Sequence, residues 1–427
     1  MGLGRGSFRL KGQICYSLDK DHIRTVKEGT VVCVDGISQG VFETVPEIYE
    51  GLPKEDFGDC LIVPGLTDLH IHAPQYAFRG LGMDLELLEW LETRTFPEEA
   101  KYSDLDYAKR AYTLFAEELK RGGTASACVF ATLHVPATEL LMELLDEAGI
   151  RAFVGKVNMD RNSPDFLREE SARRSEEDTL LWLKDTADKY ALVKPILTPR
   201  FIPTCSDELM DRLCGISEAY GLPLQSHLSE NRGEIDWVKE LCPDSLFYGD
   251  AYDKRGALKS PSRTVMAHCV WSGDEEIRLM KERGTFIAHC PQSNTNLSSG
   301  IAPVRRFIDE GISVGLGSDV AGGACTGIFR AMADAIQVSK LRWRLVDESQ
   351  KPLTVEEAFY LGTLGGGAFF GNVGSFEEGY ELDALVLDDS RCPHPLELSL
   401  KERLERFIYL GYDRCIVGKY VAGRKIF

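Results

Sequence analysis

The run Leu61–His72, LIVPGLTDLHIH, ends on two histidines separated by one residue. Read as a strand, it sends His70 and His72 to the same side, because side chains alternate along extended backbone. Two imidazoles placed together can share one metal ion. A neutral imidazole suits zinc and iron, and two histidines need one or two further ligands to close a catalytic site. Two histidines can also share a strand face by accident, so the reading depends on what lies further along the chain.

Seven more apolar runs of strand length follow: TASACVF (124–130), AFVGKVN (152–158), LVKPILTPRF (192–201), PLQSHL (223–228), RTVMAHC (263–269), TFIAHC (285–290) and SVGLGSD (313–319). Helical patterns separate them. The clearest is Ser103–Arg121, with a serine at its start and Gly122-Gly123 after it. Eight β-runs, the first being TDLHIH (67–72), each followed by a helix, predict an α/β chain built as a (β/α)8 TIM-like barrel over residues 64–373. Short β-like runs occupy 1–63 and return in 374–427 (LDALVLD, CIVGKYVAG), so both chain ends are expected to form one small β-sandwich.

In such a barrel, chemistry collects at the C-terminal ends of the strands. Here those ends carry His70, His72, His227, His268 and Asp319. A lone histidine is ordinarily a core or surface residue, but five metal-competent side chains at four strand ends of one ring are a specific signal. Three histidines and a carboxylate suit zinc or ferrous iron with a water completing the shell. The metal brings that water's pKa toward neutrality. Asp319 could bind the metal and accept the water's proton, and His268 could orient the hydroxide. Glu230, three residues after His227, could move a proton as a general acid/base; alternatively it is a first-turn glutamate favoured by the dipole of the next helix.

Other candidates are weaker. Lys194 could serve as a bridging lysine in a two-metal barrel. It lies six residues before Arg200, roughly 20 Å along an extended chain, which favours a single metal. His22, His134 and His394 read as surface or loop residues, and His289 as structural. Ser293 and Asn294 are expected to shape the loop over the site. Gly315, Gly317, Gly322 and Gly323 read as allowances for tight packing around Asp319. The segment from Gly80 to Pro97 follows the ligand strand directly and is a candidate cover.

The bulk composition agrees with an enzyme acting on a small molecule. The 427 residues are 44% hydrophobic, and 49 basic against 67 acidic side chains give a net charge of −18. That charge disfavours nucleic acid and anionic membrane as partners. No apolar run reaches the roughly 18 residues of a membrane span. The opening MGLGRGSFRLKG has no apolar core of a signal peptide. Twelve scattered cysteines without a CxxC pair read as free thiols in a reducing compartment, so a cytoplasmic location is expected.

PGLTDLHIH, QSHLSEN, TVMAHC, AHCPQSN and GLGSDVAGG together resemble the amidohydrolase superfamily in its mononuclear deaminase branch. HIHAPQYAFRG followed by DLELLEWLETRTFP, with KPILTPRF, SHLSENRGEI and SDVAGG, is similar to the guanine deaminases within it. The resemblance covers essentially the whole chain. It implies hydrolysis of guanine to xanthine and ammonia on one Zn2+ ion (Fe2+ being the alternative), in purine catabolism, usually by a homodimer. It implies His70, His72, His227 and Asp319 as zinc ligands, Glu230 as proton shuttle and His268 as assistant to the hydroxide. Gln75, Arg200 and Phe201 would line the purine pocket, with His227, Glu230 and Asp319 also facing the substrate. The sequence lacks the PCxxC zinc signature of the cytidine-type deaminases. The competing expectations are another mononuclear amidohydrolase, acting on a cytosine, a triazine or an adenosine-type substrate, and a non-catalytic oligomeric scaffold of the same fold.

Overall fold

The computed structural model describes residues 6–259 and 263–427. Met1–Arg5, the start of the opening stretch read for a signal peptide, lie outside the described residues. Four strands come first: β1 Phe8–Ser17, β2 Ile23–Val34, β3 Ile37–Phe42 and β4 Lys54–Pro64. The parallel strands follow as β5 Leu66–His72, β6 Thr124–Phe130, β7 Arg151–Gly155, β8 Val157–Asn158, β9 Val193–Pro195 and β10 Thr198–Pro199. Next come β11 Leu224–Leu228, β12 Thr264–His268, β13 Phe286–His289 and β14 Val314–Leu316. The chain ends with β15 Ala384–Leu387, β16 Ile416–Val421 and β17 Arg424–Lys425.

The central strands pair in parallel as β5-β6-β7-β9 and β11-β12-β13-β14. Backbone bonds join the two groups on both sides. Leu197 bridges Leu224, and Gln225 N donates to Leu197 O (2.9 Å). After β14, Asp319 N donates to His70 O (2.8 Å), and His72 N donates to Val320 O (3.1 Å). The architecture is of the TIM-barrel type. β5, β6 and β11 to β14 are buried along their whole length, as expected of parallel strands covered on both faces.

Two predicted strands are each broken in two. The run 152–158 divides into β7 and β8, and 192–201 into β9 and β10, with β8 and β10 pairing separately. Gly155 permits the crossover. A Cβ there would sit 1.7 Å from Thr198 Oγ1. Pro195 and Pro199 lack the N–H that a continuous ladder would use. The predicted helix over 103–121 begins instead at Leu105, because Asp104 is its cap, accepting from Asp106 N and Tyr107 N.

The chain ends meet in one hydrogen-bonded sheet. Its order is β17-β16-β15-β4-β1-β2-β3, with β4 parallel to β1 and antiparallel to β15. This sheet is tied to the barrel by buried polar groups. Lys419 of β16 donates to Leu119 O, Gly122 O and Thr124 O at 2.7, 3.0 and 2.7 Å. Arg151 of β7 pairs with Asp383 and Glu381. No helix among the described residues is long and apolar enough to cross a membrane.

Candidate metal centre and cleft

The β5 strand carries a bulge. Asp68 pairs with Ala127 and Ile71 with Val129, so β5 uses one residue more than β6. Bulges re-aim side chains next to active sites. His70 lies within this one and shares a side with His72, their Nε2 atoms 3.2 Å apart. His72 Nε2 also lies 3.2 Å from His227 Nε2, at the end of β11. Asp319 Oδ1 completes the group, 3.2 Å from His70 Nε2 and 3.5 Å from His72 Nε2. Two atoms each about 2.1 Å from a tetrahedral zinc lie about 3.4 Å apart. The spacing of these donors therefore fits one such ion.

The protonation states fit as well. Burial lowers the pKa values of His70, His72 and His227, the last two strongly, with neighbouring imidazoles adding to the effect on that pair. Burial would raise Asp319, but His70, His268 and His72 outweigh it and hold the carboxyl well below the usual range. Neutral imidazoles and an ionised carboxylate are the forms that bind a cation. The Nδ1 of His227 is 2.7 Å from Arg200 O. A carbonyl only accepts, so Nδ1 carries the proton and Nε2 offers its lone pair to the centre. Gly317 supports this packing, since a Cβ there would meet His70 Cβ at 2.9 Å and Cys290 Sγ at 2.8 Å.

His268 stands between two carboxylates. Its Nε2 is 3.4 Å from Glu230 Oε2 and 3.7 Å from Asp319 Oδ2, and its Nδ1 is 2.9 Å from Asn294 Oδ1. Ser229, His268 and Asp319 have positive φ (48°, 75° and 47°). Non-glycine residues rarely adopt this conformation, and it collects at functional sites. Glu230 is not a first-turn glutamate. The following helix, Arg232–Leu241, starts after its Asn231 cap. Glu230 is 3% exposed and accepts a hydrogen bond from Ser299 Oγ (3.2 Å). Burial, helped by the charge of Asp319, pushes its pKa up to about 8.

A cleft opens onto this group. It is lined by Gln75, Arg200, Phe201, Glu230, His268 and Asp319, and closed by Leu87, Trp90, Leu91 and Leu297. Every residue expected at the site is thus in one place. Leu87, Trp90 and Leu91 come from the 80–97 segment, which folds as short helical turns over the cleft.

The model of the amidohydrolase family matches residues 61–426. The chain belongs to the amidohydrolase family. This amidohydrolase is 41% identical over 447 aligned positions to a guanine deaminase of Mus musculus, covering 99% of this chain and 96% of that one. It is 35% identical to a guanine deaminase of Escherichia coli (strain K12), covering 95% and 92%. A crystal structure of guanine deaminase from C. acetobutylicum with bound guanine superposes with a TM-score of 0.96 at 48% identity, over 99% of this chain and 100% of that one.

The remaining candidates of this amidohydrolase play other parts. Lys194 Nζ donates to Tyr190 O (2.8 Å), away from the site. His22 is exposed against Asp19. His134, expected on the surface or in a loop, is half-buried at the start of the helix Val135–Glu147, and its Nε2 has no partner among the described residues. His289 is buried, with neither ring nitrogen bonded among the described residues. Asn294 does more than shape a loop, since it orients His268.

Three residues near the site escaped the sequence reading. Glu99 binds Arg200 and Gln75. Ser299 fixes one oxygen of Glu230. Cys290 lies among the metal donors, but burial, followed by nearby carboxylates, pushes its thiol far up, so it stays neutral. A buried arginine calls for a carboxylate, and the Glu98-Glu99 pair was the available signal for the first of these.

Proposed function

We infer that this chain catalyses the hydrolytic deamination of guanine to xanthine and ammonia. The observation that carries the reading is the likeness along its whole length to a guanine deaminase whose structure contains guanine. The cleft supports it. Arg200 retains N–H groups beyond the two given to Glu99, and these suit a carbonyl oxygen. Gln75 offers both a donor and an acceptor, matching amide-type ring edges. Phe201 supplies an apolar face for a flat heterocycle. A site that hydrogen-bonds its ligand in this way rejects analogues lacking those groups by large factors.

His70, His72, His227 and Asp319 would hold one metal ion, for which we propose zinc. Bound there, it would make hydroxide available from water at neutral pH. The protein supplies the proton movements. Asp319 Oδ2 accepts the proton of the attacking water. Glu230, held protonated near neutral pH by burial, gives its proton to the ring nitrogen beside the amino-bearing carbon. As the C–N bond breaks, the now ionised Glu230 takes the proton of the new C–OH group and passes it to the departing amine, which leaves as ammonia; the proton held on Asp319 returns to Glu230, restoring both carboxyl groups. His268, held by Asn294, keeps its Nε2 toward Glu230 and Asp319 to orient the attacking oxygen.

We also propose a closed barrel over 64–373, a small sandwich-like domain from 1–63 and 374–427, and a cytoplasmic homodimer acting in purine catabolism. The complete ligand set disfavours a non-catalytic scaffold. Ammonia release from guanine, adenine and cytosine tests the reading. Release from guanine alone is expected, and release only from another amine would overturn the pocket assignment.

A further inference from the structure

Glu99 is a charged side chain that the proposed chemistry does not use, yet the fold buries it to 1% exposure. It belongs to the turn Phe96–Glu99, which ends the segment whose Leu87, Trp90 and Leu91 close the cleft. Its Oε2 accepts from Arg200 Nη1 at 2.6 Å and its Oε1 from Arg200 Nη2 at 3.1 Å. The same Oε1 accepts from Gln75 Nε2 at 2.9 Å. The other end of that amide is fixed too, because Ala321 N donates to Gln75 Oε1 (3.2 Å).

One carboxylate therefore does three things. It neutralises a buried guanidinium. It occupies two of the five guanidinium N–H groups, which fixes where the other three point. It also decides which way the Gln75 amide faces, since a carboxylate accepts and cannot donate. A reversed amide would set its oxygen against Glu99 and its NH2 against the Ala321 N–H.

We propose that Glu99 is a positioning and specificity-determining residue. It latches the 87–99 segment to the barrel and holds Arg200 and Gln75 in the orientation that reads a ligand with carbonyl and amide edges. This rests on the reading that those two residues recognise the purine. The latch and the recognition pair form one unit, so a change in either is felt in both.

Glu99→Gln is isosteric, removes the charge and can donate to Gln75. In the metal-loaded protein its KM for guanine is expected to rise about tenfold or more, as for loss of a hydrogen bond to a charged group. The loss in kcat should be smaller than the rise in KM, and the metal content unchanged. Amide hydrogen exchange over 87–99 should accelerate. Because an unpaired buried arginine can prevent folding, Arg200→Gln and Arg200→Gln/Glu99→Gln form the second comparison. Adding Glu99→Gln to Arg200→Gln should change KM by less than about threefold, as expected for groups acting together. Unchanged KM and unchanged exchange in Glu99→Gln, or full additivity in the double variant, would overturn the proposal. Should the wild-type chain not turn over guanine, the functional reading fails, while the exchange measurement still decides the latch.

Discussion

The Nε2 atoms of His72 and His227 lie 3.2 Å apart although 155 residues separate them in the chain. Both rings are buried and held neutral, and the lone pair of His227 Nε2 points into the group. Donors brought together in this way gain from a shared cation. Saturating zinc is therefore expected to raise the thermal midpoint, and a chelator to lower it. With free metal at about 100 times its dissociation constant, the gain is about 2.7 kcal/mol. Calorimetry of metal-loaded and chelated protein measures it.

Glu230 lies next to the metal ligands without belonging to the donor group. Glu230→Gln should keep one metal per chain and reduce kcat by about 10²–10⁴-fold, the usual contribution of a positioned acid/base. Elemental analysis and steady-state kinetics on one preparation separate the possibilities. Loss of the metal would make Glu230 a ligand or a structural group.

His289 gives a pH dependence of stability. Burial, with His268 adding to it, lowers its pKa from 6.5 to about 4. The unfolded chain then binds more protons than the folded one between these values. Stability is present above about pH 6.5 and is lost as the pH falls toward 4. In His289→Leu the thermal midpoint should fall less steeply across that window than in the wild type.

Lys419 is fully buried and donates to three carbonyl oxygens at the junction of sheet and barrel. Lys419→Met would remove the ammonium that all three carbonyls share. A loss of roughly 2–4 kcal/mol is expected, read as a lower urea midpoint, with kcat of the folded protein close to wild type.

Much of this was legible from local pattern. Alternation in TDLHIH places His70 and His72 together, and the strand-end rule for barrels gathers His227, His268 and Asp319. What escaped depends on distant partners. Glu99 meets Arg200 across 101 residues, and nothing in TFPEEA distinguishes it from Glu98, which instead pairs with Lys101 at the segment's edge. The breaks between β7 and β8 and between β9 and β10 follow from the approach of Gly155 to Thr198, visible only once the strands are side by side. The cap of the helix Leu105–Arg121 is one residue later than the serine, because Ser103 donates its hydroxyl back to Ala100 O while Asp104 accepts from Asp106 N and Tyr107 N.

Hydrolysis at the amino-bearing carbon of guanine carries an oxygen of water into the purine product. Incubation of the zinc-loaded protein with guanine in H2 18O tests it most directly, with mass spectrometry of the purine product and assay of ammonia. One ammonia per xanthine and one 18O in each xanthine molecule are expected. No xanthine, or xanthine without the label, would contradict it.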